Sequence, residues 1–124
     1  MRTTGQGHVR IIAGTLRGSK LPVVERDGLR PTPDRTRETL FNWLGQDLTG
    51  LRCLDLFAGT GVMGFEALSR GASAVTMVEK SSLACAALHA NKSLLNATAA
   101  NILQQDALQF LAQNSQSYQL IFLD

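Results

Sequence analysis

Gly59-Thr-Gly61-Val-Met-Gly64 follows directly on the apolar stretch Arg52-Cys-Leu-Asp-Leu56 and opens a further apolar, helix-prone run. A G-x-G-x-x-G stretch between a strand and a helix makes a tight turn whose backbone a nucleoside cofactor can approach closely. It is not a phosphate-binding P-loop, because no Lys-Ser/Thr pair follows the last glycine. Two ligand classes satisfy the pattern, dinucleotides and S-adenosylmethionine. Asp55, four residues before Gly59 at the carboxyl end of the strand, discriminates between them. A pyrophosphate seated at this turn would be repelled by that carboxylate. S-adenosylmethionine carries an ammonium and a sulfonium instead, and both are attracted. The charge pattern therefore favours S-adenosylmethionine.

Glu79 lies 24 residues beyond Asp55 and ends the next apolar run. An acid there can accept hydrogen bonds from both hydroxyls of a ribose; alternatively it is an exposed residue that starts a loop with Lys80. Asp106 closes a third run, ahead of Ala107. It suits an acceptor for an adenine amino group and equally the N-cap of a following helix. His8 and His89 have no ligand-spaced partner, so no metal is expected. Cys53 and Cys85 read as two free thiols of a cytoplasmic protein rather than as a disulfide or metal pair.

These residues need a scaffold that sets them along one edge. Strands are expected at Arg52–Leu56, Ala74–Glu79, Asn101–Gln105 and Leu120–Leu123. Helices are expected at about 61–70, Ser82–Leu95 and Ala107–Gln113. Strand–helix alternation with short connections gives right-handed βαβ crossovers and a mostly parallel sheet, an α/β fold of Rossmann-like type. Before it, Val9–Ala13 and Leu16–Val24 read as two strands of a hairpin. Thr32 as N-cap, Pro33 at the first helical position and Asp34 in the first turn begin a helix that runs to Leu44 and stops at Gly45. Phe41 and Trp43 are expected in its core-facing side. The chain divides into a basic extension over residues 1–30 and the α/β part over 31–124.

Hydrophobic residues make up 44% of the 124 and charged residues 18%, a balance that excludes disordered and fibrous classes. Apolar runs are too short to span a membrane, and the first residues lack a signal-peptide core. The net charge of +2 is unevenly placed. Residues 1–52 hold nine Lys/Arg against five Asp/Glu, and residues 53–124 hold three against five. A basic front half suits either a polyanion partner or a merely solvated surface.

Taken together, Val9-Arg-Ile-Ile-Ala-Gly-Thr-Leu-Arg-Gly18, Leu29-Arg-Pro-Thr-Pro-Asp-Arg-Thr-Arg-Glu-Thr-Leu-Phe-Asn-Trp-Leu44 and the segment Asp55–Ala72 resemble the RsmD family. Its members are bacterial methyltransferases of the guanine N2 amine in 16S ribosomal RNA. The resemblance implies a class I methyltransferase fold and S-adenosylmethionine bound by Asp55, Phe57, Gly59, Thr60, Gly61, Glu79, Lys80, Asp106 and Ala107. It implies contacts to 16S ribosomal RNA or the small ribosomal subunit through Arg10, Arg17, Lys20, Arg30, Arg35 and Arg37. The family's catalytic strand ends in Asp-Pro-Pro and an aromatic residue, which hold the target amine and stack on its base. Tyr118-Gln-Leu-Ile-Phe-Leu-Asp124 reaches only the first residue of that motif, so Asp124 is the implied catalytic residue. The expectation is a chain truncated after its fourth core strand that binds cofactor without transferring methyl groups. A DNA adenine N6 methyltransferase and a non-catalytic cofactor-binding module are the alternatives.

Overall fold

A computed structural model describes residues 8–22 and 33–123. Two short antiparallel strands, β1 (His8–Arg10) and β2 (Lys20–Pro22), pair with Val9 opposite Leu21. The intervening loop is longer than the expected two-strand pattern, because turns at Gly14 and Gly18 take residues 13–18 out of the ladder. Helix α1 (Asp34–Leu44) follows. Its N-cap position is Pro33, with ψ at 150°, so the helix starts one residue later than expected. Thr32 and the expected boundary after residue 30 lie outside the described residues. Gly45 ends α1 at φ 94°, a left-handed turn that glycine takes without strain.

The remaining elements alternate as expected: β3 (Arg52–Asp55), α2 (Val62–Ser69), β4 (Ala74–Glu79), α3 (Ser82–Leu95), β5 (Ala100–Gln104), α4 (Ala107–Gln113) and β6 (Leu120–Phe122). The sheet order is β5-β4-β3-β6 and every pairing is parallel. Chain order runs outward from β3 through β4 to β5, then jumps back across to β6 on the other side of β3. This reversal opens a crevice at the carboxyl ends of β3 and β6, the place where open α/β sheets bind ligands.

Period-two alternation assigns the two faces of the sheet. Cys53, Val75 and Met77 pack with Phe65 and Leu88 from α2 and α3. Leu54, Leu56 and Val78 pack with Ala107 and Phe110 from α4. Val9, Ile11 and Leu21 of the hairpin and Phe41 of α1 belong to the first of these cores, so the hairpin shares its interior with the sheet. Phe41 is fully buried, 5.8 Å from the Phe122 ring and against the Arg70 guanidinium. Trp43, expected beside it, is 81% exposed. Two residues advance a helix by about 200°, which places the two side chains on opposite faces. Among the described residues, no helix is long and apolar enough to cross a membrane. Both cysteines are free and buried.

Candidate cofactor-binding site

The parallel register sets the acids toward one end of the sheet. Asp55 pairs with Met77 on β4 and Phe122 on β6, and Glu79 pairs with Gln104. Asp55, Glu79, the β5 end leading to Asp106, and the β6 end therefore share the carboxyl edge of the sheet.

Between β3 and α2 the chain makes two left-handed steps, at Gly59 (φ 56°) and Gly61 (φ 81°). A side chain at Gly61 would also collide with Leu88 and stand 2.8 Å from the Phe65 ring. Gly64 has a different role: a Cβ there would press on Met77 and Val75, so it lets α2 lie close on the sheet. The loop is latched to the strands by Leu56 N–H donating to Phe122 O (3.1 Å) and Ala58 N–H to Val78 O (3.0 Å).

Four amides between residues 59 and 64 already have acceptors within the chain. Gly59 N–H donates to Glu79 Oε1 (2.8 Å), and Gly61 N–H donates to Ala58 O (2.8 Å). In the first turn of α2, Val62 N–H reaches Thr60 Oγ1 (3.4 Å) and Gly64 N–H reaches Asp55 Oδ2 (3.2 Å). A dinucleotide-binding turn offers such groups to a pyrophosphate. Here two of the four, Gly59 N–H and Gly64 N–H, are held by carboxylates, which bring negative charge to the turn. Asp55 is buried at 1% exposure behind the turn, so its influence on a ligand is electrostatic. Glu79 is half-buried; its Oε2 accepts from Ser81 N–H (2.9 Å), which fixes the carboxylate against the turn. Phe57 is 54% exposed, and Lys80 is exposed. Beneath Glu79, Cys85 Sγ donates to its carbonyl (3.3 Å). Burial, and secondarily the charge of Glu79, push the Cys85 thiol up.

Asp106 is the N-cap of α4, its Oδ2 accepting from Leu108 N–H (3.1 Å) and Gln109 N–H (3.2 Å). That is the second of the two roles left open for it. Ala107 is buried behind it. Among the described residues no group of His, Cys, Asp and Glu is arranged to hold a metal ion.

The basic residues divide. Arg10, Arg17, Lys20 and Arg35 are exposed, and Arg10 and Arg17 line one open groove of about 420 Å³ together with Asp34 and Glu38. Arg30 and Asp124 lie outside the described residues. Arg37 is withdrawn from the surface altogether, with no exposed area. Its Nη1 donates to Glu66 Oε1 (2.8 Å) and to Arg10 O (2.9 Å), and its Nη2 pairs with Asp34. It cannot meet a phosphate from there, because its donors are committed to the interior. Glu66, fully buried in α2, received no attention in the sequence, although a lone acid in Val-Met-Gly-Phe-Glu-Ala-Leu was a signal that something buried must pair with it.

Comparison with known proteins bears on this geometry. The sequence model of the family described as Conserved hypothetical protein 95, the RsmD family, matches residues 9–124. The chain belongs to it. Ribosomal RNA small subunit methyltransferase D of Escherichia coli K12 is 46% identical over 121 residues, which are 98% of this chain and 61% of that relative. The protein of the same description from Haemophilus influenzae is 47% identical over 123 residues, 96% of this chain and 64% of the relative. The solved structure of a putative methyltransferase from Escherichia coli superposes with a TM-score of 0.87 at 42% identity, covering 95% of this chain and 64% of that one. This RsmD-family chain thus spans about three fifths of the length of the curated relatives it matches. Its fold is the Rossmann-like one of class I methyltransferases, as the strand–helix pattern anticipated.

Proposed function

We propose that the protein containing this chain is an S-adenosylmethionine-dependent methyltransferase acting on the exocyclic N2 amine of a guanine in 16S ribosomal RNA. The observation that carries the cofactor reading is the pair Asp55 and Glu79, which accept from Gly64 N–H and Gly59 N–H and make the turn negatively charged. Such a turn suits a cationic nucleoside and opposes a pyrophosphate. The donor set fits: Glu79 retains lone pairs for ribose hydroxyls, while Gly59, Thr60 and Gly61 let the ligand lie against the backbone. Phe57 and Lys80 flank it, and Asp106 with Ala107 bound the adenine side. When bound, the cofactor supplies an electrophilic methyl group. The chain's own part is to orient it, and Asp124 accepts a hydrogen bond from the target amine so that its lone pair faces the methyl carbon. The names of the relatives support ribosomal RNA as the substrate class. Arg10, Arg17, Lys20, Arg30 and Arg35 meet its phosphates.

The test has two arms. Calorimetry with the complete gene product should show binding of S-adenosylhomocysteine and none of NAD; the reverse overturns the cofactor reading. Labelled cofactor should then mark 16S ribosomal RNA in small subunits at guanine N2. Transfer to DNA adenine instead would replace the substrate reading.

A further inference from the structure

The hairpin that carries Arg10, Arg17 and Lys20 is fastened mainly to α2, with Arg37 of α1 joining in, by a buried cluster. The Glu66 carboxylate accepts from four donors: Ile12 N–H (3.0 Å), Ala13 N–H (3.1 Å), Arg37 Nη1 (2.8 Å) and Arg70 Nε (2.9 Å). One turn further along α2, Ser69 Oγ donates to Ala13 O (2.5 Å) and accepts from Leu16 N–H (2.8 Å), while Thr15 N–H donates to Ser69 O (2.8 Å). Gly14 sits against this carbonyl at φ 90°, where a Cβ would overlap it. Arg37 completes the clamp by donating to Arg10 O (2.9 Å). The backbone is therefore pinned at Arg10, at residues 12, 13 and 15, and at Leu16 immediately before Arg17.

Stability alone does not call for such a cluster. Well-packed apolar side chains of similar volume hold helices together as well as a buried ion network or better, because desolvating the charges costs about what their attraction returns. What a carboxylate with four fixed donors supplies is direction. It sets the orientation of residues 10–16 on α2, and with it the two arginines that share the groove facing Asp34 and Glu38.

We propose that Glu66 and Ser69 are positioning residues for RNA recognition: neither touches RNA, and both set the hairpin so that Arg10 and Arg17 present their guanidinium groups together. This rests on the reading of the hairpin as an RNA-contacting surface. The test compares E66Q, S69A and the double variant R10A/R17A in the complete gene product. Filter binding of a 16S ribosomal RNA transcript is measured beside calorimetry with S-adenosylhomocysteine. E66Q should weaken RNA binding at least tenfold and S69A about threefold, with the cofactor Kd within twofold of the parent in both. Unchanged RNA affinity, or a parallel loss of both affinities, overturns the proposal. S69A carries the test if E66Q fails to fold, since it removes one hydroxyl only. R10A/R17A tells the two failures apart. If it leaves RNA binding intact, the hairpin is not the RNA surface and both readings fall. If it weakens binding while E66Q and S69A do not, only the positioning role falls.

Discussion

At the scale of single residues, the site is a matter of which carboxylates hold which amides. Glu79 bridges Gly59 and Ser81, so losing its charge removes a support of the turn and a ligand acceptor together. E79Q should weaken S-adenosylhomocysteine binding about tenfold or more, read by calorimetry, since hydrogen bonds to a charged group contribute about 1.5–3 kcal/mol. G61A should lower stability by about 2–4 kcal/mol in urea melts, summing the left-handed backbone penalty and the collision with Leu88. Cys53 supplies a pH signature. Burial pushes its thiol up from 9.0 to about 11. Between those values the unfolded chain loses the proton while the folded chain keeps it, so stability falls as pH rises through the window. The urea midpoint should drop between pH 8 and pH 10.5, and C53A should flatten that decline. Asp55 and Glu79 were legible in the sequence because strand ends and glycine spacing fix their place locally. Arg37 was not, because its burial depends on Glu66, 29 positions away, and nothing in its neighbourhood distinguishes it from Arg35.

At the scale of elements, α2 is the common body. Its first turn carries the glycine turn, and its last turn carries the hairpin, over eight residues or about 12 Å. Arg35 and Arg37, two positions apart on α1, should behave oppositely. R37A strands the Glu66 carboxylate in the interior and should cost about 3–5 kcal/mol of stability. R35A removes an exposed charge, should change stability by no more than about 0.5 kcal/mol, and should weaken RNA binding several-fold. Thermal melts beside filter binding check both. The helices and strands of the sheet were readable to within a residue or so, since apolar periodicity and short turns dictate them. Within the described residues the hairpin was read with strands too long, because Gly14 is set by docking on Ser69 and Gly18 N–H turns back to Ile11 O, neither of which local propensity dictates. Val23 and Val24 of the expected second strand lie outside the described residues. Trp43 was misplaced for a related reason: composition marks it as core, and only the phase of α1 against Phe122 decides which face is covered.

At the scale of the whole molecule, charge is unevenly placed, with nine Lys/Arg against five Asp/Glu over residues 1–52. Among the described residues, four exposed cations, Arg10, Arg17, Lys20 and Arg35, lie on the hairpin and α1, while Asp55 and Glu79 lie at the carboxyl edge of the sheet. With Arg10, Arg17, Lys20, Arg30 and Arg35 as phosphate contacts, the logarithm of RNA affinity should fall against the logarithm of salt with a slope of about −3 to −4. A slope near zero would remove the electrostatic role. The Glu66 clamp has one more consequence, for how the chain acquires its structure. Its donors come from residues 54, 53, 29 and 4 positions away, so three separate segments converge on one buried group. The hairpin cannot gain its anchor until α2 has formed and settled on β3 and β4, and closing so long a loop is slow. Folding should therefore end at the amino terminus. In pulse-labelled hydrogen exchange, the amides of Ile12 and Ala13 should become protected after those of Val75 and Met77, and in the native state they should open first.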